Sequence, residues 1–195
     1  AQELPRIWNL AQVKSKSENR DLQLNISPPE KVKGKIVAAA GSVREITQKQ
    51  IKYAVKKGAG ELLTINTNQL LISRLTRNRE LKRVKNKIEN IFSSFSSLIL
   101  SLKKENFVEK TRKQLRADSK VILNSINKII HFINKNYIIE GLILTGGDTA
   151  VSVCQELKVT GIQIEGEMSP GIPQGKILGG DLAGTPVITK AGGFG

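Results

Sequence analysis

The sequence has little of the side-chain chemistry on which many enzymes depend. Its 195 residues include one cysteine, Cys154, and one histidine, His131. A single cysteine cannot form an intrachain disulfide, and one cysteine with one histidine is too few for the cysteine- and histidine-rich ligand sets typical of zinc sites. We interpret His131 as a residue at the core edge of a predicted helix, which leaves no Ser-His-Asp or Cys-His arrangement. Any chemistry must come from the backbone, hydroxyls, carboxylates or lysines.

Long apolar runs are also missing. The longest are far too short to span a bilayer, and residues 1–6 lack the apolar core of a secretion signal. We therefore expect no membrane contact and a cytoplasmic location. The apolar fraction of 39% can still fill a core at this chain length.

Aromatic residues make up only 4% of the chain, too few for a platform on which bases stack. The net charge of +14 nevertheless raises nucleic acid as a partner. The excess is local: residues 74–120 hold 14 Lys/Arg and 5 Asp/Glu, whereas residues 141–195 hold 3 and 5. We interpret the basic stretch as a solvated helix surface. A module that binds nucleic acid or an acidic partner stays open as the alternative.

Apolar strands alternate with helical patterns, which predicts an α/β fold, a sandwich with a mostly parallel central sheet flanked by helices. Strands are expected at residues 35–40, 61–66, 97–102, 140–145, 161–167, 176–178 and 186–190, and helices at 47–58, 73–92, 106–134 and 148–157. Residues 1–33 are polar and aperiodic and contain Pro28-Pro29, so we assign them to a linker or N-terminal arm. Residues 34–195 then form the folded domain.

The helical patterns make more specific predictions. Thr47 and Gln50 have the spacing of a capping box, which would start the first helix. Asp118 is expected to cap a second half of the third helix if that helix is broken there. The apolar stripes of the second and third helices should face the core, and they comprise Leu75, Leu81, Val84, Ile88, Ile91 and Phe92, followed by Ile122, Ile126, Ile129, Ile130 and Ile133.

The segment Gly146-Gly147-Asp148-Thr149 follows an apolar strand and precedes a helix. Free amides at such a turn, next to glycines without Cβ atoms, suit a phosphate. Thr149 adds a hydroxyl, and Asp148 is a candidate to hold Mg²⁺ through water. The alternative is structural: the glycines turn the chain and Asp148 caps the helix.

Two further segments have related features. Gly41-Ser42 ends the first strand, and Ser42 is a candidate donor to a phosphate or ribose oxygen. Lys190 ends the last strand and is followed by Gly192 and Gly193, so the lysine is a candidate phosphate partner and the glycines could pack against a nucleotide. A plain turn and a surface lysine are the alternatives.

Two familiar phosphate-binding patterns are not met. In Ser169–Lys176 three residues separate Gly171 from Gly175, and Ile177 follows the lysine, so the segment is not a Walker motif. Its prolines predict a rigid surface loop. The dinucleotide fingerprint GxGxxG is also absent.

Together these segments resemble the C-terminal nucleotide-binding domain of the four-carbon acid sugar kinases, over about residues 34–195. The motifs that carry the resemblance are Gly41-Ser42 with Thr47 and Gln50, Gly146–Ala150, and Pro170–Pro173 with Lys190–Gly195. At Val43-Arg44 the chain departs from the small residues typical of the family, although Arg44 could itself meet a phosphate.

The resemblance implies an ATP-dependent kinase that phosphorylates a threonate, an erythronate or an oxo-tetronate. By it, Ser42, Gly146, Gly147, Asp148, Thr149, Gly192 and Gly193 map onto ATP contacts, with Mg²⁺ as the accompanying ion. The sugar-acid substrate would bind a domain N-terminal to this one, which is absent from the chain. A homodimer is one assembly that we consider. A non-catalytic relic of the kinase fold is a further alternative.

Overall fold

The computed structural model describes residues 34–103 and 111–194, so the expected arm at 1–33 lies outside the described residues. Within these ranges the chain forms seven strands and five helices. In chain order they are β1 Lys35–Ala40, α1 Glu45–Lys56, β2 Glu61–Ile65, α2 Thr67–Ile72, α3 Arg74–Ser94, β3 Ser97–Leu102, α4 Arg112–Asn136, β4 Ile139–Thr145, α5 Gly147–Glu156, β5 Gly161–Ser169, β6 Ile172–Leu178 and β7 Pro186–Lys190.

The seven strands form one sheet in the order β2-β3-β1-β4-β7-β6-β5. The pairs among β1, β2, β3, β4 and β7 are parallel, and β6 is antiparallel to both β5 and β7. Parallel neighbours need long crossovers, which the helices provide, whereas β5 and β6 are joined by a tight turn. The prediction of an α/β fold with a mostly parallel sheet is confirmed, and helices pack on both faces of the sheet.

The larger core lies between the sheet and helices α2 to α5. Alternate strand residues such as Val37, Leu100 and Leu144 pack there against buried side chains of α3 and α4, including Ile88 and Ile130. The opposite face carries α1, whose Ile51 and Ala54 pack on Ala40 and Ile99. Strands buried on both faces explain why these segments read as continuous apolar runs.

The structure corrects three details of the helical predictions. The region expected as one helix from residue 73 is preceded by the short α2, and the capping box Ser73–Thr76 starts α3. Leu75 is 60% exposed because it lies in the first turn of α3, away from the buried stripe. Of the two alternatives for the third helix, the unbroken one is observed: α4 runs without a break from Arg112 to Asn136, so Asp118 lies inside the helix and not at the start of a second half.

The Ser169–Lys176 segment is also not the surface loop that its prolines suggested. Pro170 and Gly171 form a turn, and β6 begins at Ile172 and includes Pro173. Gly171 has φ +78°, a conformation that glycine adopts without strain. Among the described helices, none is both long and apolar enough to serve as a bilayer span.

Candidate functional site

The carboxyl ends of β1, β4 and β7 lie side by side in the middle of the sheet. In register, Ala40 pairs with Thr145, and Thr145 pairs with Lys190. The helix after β1 covers one sheet face and the helix after β4 covers the other, because α1 packs on Ala40 whereas Val153 of α5 packs in the core of the opposite face. Such a reversal between neighbouring strands opens the crevice where α/β sheets bind ligands.

The turn between β4 and α5 leaves backbone amides uncovered. Gly146 has φ +102° and is the N-cap of α5, with no side-chain cap, and its own amide donates to Lys190 O at 2.9 Å. The first amides of a helix have no intrahelical acceptor, so those of Gly147, Asp148 and Thr149 are free to bind an anion. Because Gly146 occupies the N-cap position, the alternative in which Asp148 caps the helix is wrong.

The residues that follow Gly146 differ in accessibility. Gly147 and Asp148 are exposed, and a Cβ placed on Gly147 would meet nothing within 4 Å. Thr149 is buried at 3% exposure, and its Oγ1 lies so close to Gly41 that a Cβ there would overlap it. Gly41 is therefore required for packing, and Gly147 is the glycine of this turn that faces open space.

The loop after β7 packs against the segments that follow β1 and β4. A Cβ on Gly192 would lie 2.7 Å from Ser42 Oγ and 3.6 Å from the Cα of Gly146, and one on Gly193 would lie 3.1 Å from Arg44 Nη1. Ser42 Oγ donates to Gly192 O at 3.3 Å. The three segments singled out in the sequence thus converge, and Gly192 must lack a side chain for the loop to approach Ser42.

Thr47 and Gln50 do not form the predicted capping box. The helix begins at Glu45 with Arg44 as its N-cap, so both residues lie inside α1, each about 1% exposed. Thr47 Oγ1 donates to Gly192 O at 2.6 Å, and Gln50 Nε2 donates to the carbonyl of Phe194 at 3.4 Å.

Thr47 and Gln50 thus anchor residues 191–194, which we call the glycine loop, to helix α1. The sequence analysis did not predict this role. Their i, i+3 spacing is shared by a capping box and by two neighbours on one buried helical face. Burial of both was the signal that separates the two interpretations. Gln50 Oε1 is buried without a hydrogen-bond partner in the described structure.

Lys190 lies beneath the loop and not on the surface. It is 4% exposed, and its ammonium donates to Ala191 O at 2.9 Å. Burial lowers the pKa of Lys190 because a desolvated ammonium is disfavoured. An ammonium bonded to a single carbonyl in this position adds positive charge behind the glycine loop, and the interpretation as a surface lysine is wrong.

The segments Pro170–Pro173 and Lys190–Gly195, which the sequence analysis grouped as one motif, contact each other in the structure. The ring of Phe194 lies against the turn at Gly171, where an added Cβ would come within 2.8 Å of the ring. Phe194 N donates to Ala191 O at 3.1 Å, which closes the glycine loop into a turn. Residues 170–173 therefore support the loop through Phe194.

Asp148 is the carboxylate that the turn after β4 offers to a metal ion. No group of three His, Cys, Asp or Glu side chains suited to a metal exists within residues 34–103 and 111–194. Mg²⁺ commonly binds through one or two carboxylates, with phosphates and water completing its shell. Exposed Asp148 beside free amides fits that requirement. His131 lies elsewhere, on α4, where its Nδ1 is 3.1 Å from Glu156 Oε1.

The sequence matches the family described as the nucleotide-binding C-terminal domain over residues 37–195. A D-threonate kinase from Salmonella typhimurium is 27% identical over 168 residues, which are 82% of this chain and 39% of the relative. A D-threonate kinase from Bordetella bronchiseptica is 49% identical over 55 residues, 28% of this chain and 14% of the relative. The chain thus spans well under half the length of these kinases.

Solved structures show the same fold. A domain of unknown function from Bordetella bronchiseptica, a domain-swapped dimer with bound citrate, has a TM-score of 0.65 at 23% identity, covering 83% of this chain and 38% of that one. A protein from Haemophilus influenzae gives 0.61 at 23% identity, covering 84% and 38%.

Proposed function

We propose that this chain binds ATP with Mg²⁺, and that the terminal phosphoryl group of this ATP is transferred to a sugar acid. The chain belongs to the nucleotide-binding C-terminal domain family of the four-carbon acid sugar kinases. It is homologous to kinases named for D-threonate, D-erythronate and 3-oxo-tetronate. Homology to these kinases favours a kinase over a nucleic-acid module or a relic.

One observation carries the proposal. Gly146 after β4 and Gly192 after β7 are 46 residues apart in sequence, yet an added Cβ on Gly192 would lie 3.6 Å from the Cα of Gly146. They meet at the switch point of the sheet, beside amides without intrahelical acceptors. A triphosphate needs such a set of fixed donors, since phosphoryl transfer depends mainly on positioning and charge neutralisation.

The proposed ATP contacts combine backbone and charged groups. The amides of Gly147, Asp148 and Thr149 would bind phosphate oxygens, and the Asp148 carboxylate would hold Mg²⁺ through water. The remaining contacts are Ser42, Gly146, Lys190, Gly192 and Gly193. Of these, Lys190 would act from beneath the loop, as a fixed positive charge next to Ala191 O.

The chain's own residues supply positioning. Bound Mg-ATP would supply the phosphoryl group that an acceptor hydroxyl takes. Thr47 and Ser42 hold the Gly192 carbonyl, so they fix the loop before any ligand arrives. Because fixed dipoles cost no reorganisation, such a loop stabilises charge better than a mobile one.

The rest of the machinery would lie outside this chain. We propose that residues 1–33 are a linker or arm, that residues 34–195 are the nucleotide-binding domain, and that a sugar-acid-binding domain precedes both in a longer cytoplasmic kinase. A catalytic base would come from that domain. A homodimer is part of the proposal.

Calorimetry with Mg-ATP tests the proposal on the chain as it stands. Native protein should bind, and Gly147→Ala should weaken binding about tenfold, because the new methyl group enters space left for the phosphate. The free fold should not suffer, since alanine is the better helix former and meets nothing within 4 Å. Asp148→Asn should weaken binding in Mg²⁺ more than in EDTA.

The matched control is Gly161→Ala in β5, whose Cβ would make an ordinary 3.7 Å contact with Leu178. It should leave the affinity unchanged. No Mg-ATP binding by the native chain, or equal binding by all three variants, would reject the nucleotide site.

A further inference from the structure

A second cleft opens on the same edge of the sheet, where β2 and β3 end. Its volume is about 550 Å³, within the usual range for small-molecule sites. Strand β3 separates β2 from β1, so the cleft lies roughly 10 Å along the edge from Ser42. Gln48 Nε2 spans the interval, donating to Ser42 O at 3.2 Å and to Ser101 Oγ at 3.3 Å.

One wall of the cleft is a fixed ion pair. Glu80 is 5% exposed and accepts from Arg83 Nε and Nη2, both at 2.7 Å, and from the amide of Asn66 at 2.8 Å. Burial acts to raise the pKa of Glu80, but the hydrogen bonds from Arg83 and Asn66 outweigh it and lower that pKa. Arg83 also donates to Thr64 O at 2.8 Å. The pair is neutral, and the buried Glu80 carboxylate holds it through three hydrogen bonds.

Two further cations line the cleft without a fixed partner. Arg79 and Lys103 are exposed, and neither forms an ion pair within the described part of the chain. With Glu80 and Arg83 cancelling, the lining carries a net charge of about +2. A cleft lined by an excess of positive charge favours an anionic ligand.

The neutral part of the lining is polar. It consists of Thr64 and the carboxamides of Asn66 and Gln69, and the described side chains that line the cleft include no aliphatic or aromatic one. Hydroxyl and amide groups pair with the hydroxyls of a polyol, whereas a purine base would need an apolar or aromatic surface.

We infer that this cleft binds a small hydroxylated anion, a short polyol that carries a carboxylate or a phosphate group. This cleft would be a second site, separate from the acceptor site that we assign to the preceding domain. The identity of the anion rests on the proposed function, under which the acceptor acid and its phosphorylated product both have this chemistry. The carboxylate or phosphate would lie between Arg79 and Lys103, with the hydroxyls on Thr64, Asn66 and Gln69. The anion would then occupy the same sheet edge as the nucleotide.

Calorimetry of the 195-residue chain without nucleotide tests the inference with three probes: D-threonate, inorganic phosphate and the neutral polyol erythritol. D-Threonate or phosphate should bind, more weakly as salt rises, and erythritol should not. Binding of D-threonate alone identifies the carboxylate source, and binding of phosphate alone identifies the phosphate source. Binding of neither anion, or equal binding of erythritol, overturns the inference.

The variant Arg79→Gln with Lys103→Gln should weaken anion binding by about tenfold or more, because two charge-assisted contacts are lost. Lys87→Gln, an exposed lysine on α3 that does not line the cleft, should change it less than about twofold. Unchanged anion affinity in the double variant overturns the inference.

Mg-ATP titration of the same proteins separates the two proposals. The double variant should keep native Mg-ATP affinity, and a parallel loss would place the cleft in the nucleotide site and overturn the inference. If the native chain binds D-threonate but not Mg-ATP, the anion cleft stands and the nucleotide proposal fails.

Discussion

Two regions of this molecule use charge and backbone in opposite ways. The basic layer, our name for residues 74–120, holds 14 Lys/Arg and 5 Asp/Glu, whereas residues 141–195 hold 3 and 5. The glycine edge is the set of strand ends where Gly146, Gly192 and Gly193 meet Ser42 and Thr47. In the described part of the basic layer, the apolar stripe of α3 is buried and most cations are exposed to solvent. At the glycine edge the side chains of Ser42 and Thr47 bond to the loop.

The contrast shows that an unusual composition is a poor guide to the site. Helices tolerate many exposed lysines because their long side chains stay solvated while the opposite face packs. A ligand site, in contrast, needs groups whose positions are fixed beforehand. The basic layer packs the apolar stripe of α3 into the larger core, and the glycine edge holds backbone groups in fixed positions. The cleft that Arg79 and Lys103 line places charge of the basic layer on the same edge of the sheet as the glycine segments.

The largest effect that would sharpen this comparison is expected from Thr47→Val. It removes the 2.6 Å hydrogen bond that holds the Gly192 carbonyl but preserves the shape of the side chain. Loss of a buried hydrogen bond costs about 1–2 kcal/mol, so Mg-ATP affinity measured by calorimetry should fall about tenfold.

The matched control for Thr47→Val is Thr67→Val, a buried threonine on α2 whose hydroxyl makes a long 3.5 Å bond to Lys103 O. It should keep native nucleotide affinity. Equal losses in both variants would mean that the glycine edge depends on general stability and not on the loop anchor.

A second, smaller effect is expected from Lys190→Met. The variant removes a buried ammonium and keeps the bulk of the side chain, so the free protein should be more stable by roughly 1 kcal/mol while Mg-ATP affinity falls. Urea unfolding and calorimetry measure the two changes.

The stability gain of Lys190→Met should depend on pH. The pKa of Lys190 is lowered in the fold, so the unfolded chain binds the proton more tightly and native stability rises with pH. The difference in the free energy of unfolding between Lys190→Met and the native protein should be largest at neutral pH. It should shrink as pH rises through the folded pKa of Lys190 towards the unfolded value of about 10.4. A difference that stays constant to that pH would show that Lys190 carries no desolvation cost.

The smallest effect should come from neutralising the basic layer with Arg74→Gln, Lys82→Gln and Lys87→Gln together. These residues are exposed on α3 and lie away from the glycine edge. Mg-ATP affinity should change less than about twofold, and any weak, salt-sensitive DNA binding should fall. A large loss of nucleotide affinity with native DNA binding would reverse the roles that we assign to the two regions.

Much of the fold could be predicted because periodicity records burial directly. The strand predicted at residues 97–102 has those bounds in the structure, and Ile126, Ile129, Ile130 and Ile133 are buried as expected. The errors came where one pattern has two causes. The spacing of Thr47 and Gln50 suits a capping box, and only their burial inside α1 shows that they bind another segment.

The sequence predicted the candidate site as a set of glycine turns. Nucleotide binding at these turns stays a proposal. The sequence could not tell which glycines leave space and which allow close packing. Gly147 faces open space, whereas Thr149 occupies the space beside Gly41 and Ser42 occupies the space beside Gly192. That distinction depends on neighbours that are distant in the chain.

The sequence alone determined the alternation of strands and helices, the apolar faces and the positions where glycine frees the backbone, because these properties depend on near neighbours. The tertiary structure decided that the segments after β1, β4 and β7 meet at one edge of the sheet, that Lys190 is buried there, and that Thr47 and Gln50 hold the loop after β7. The physical reason is that strand order and crossover side bring together residues whose meeting no local pattern records.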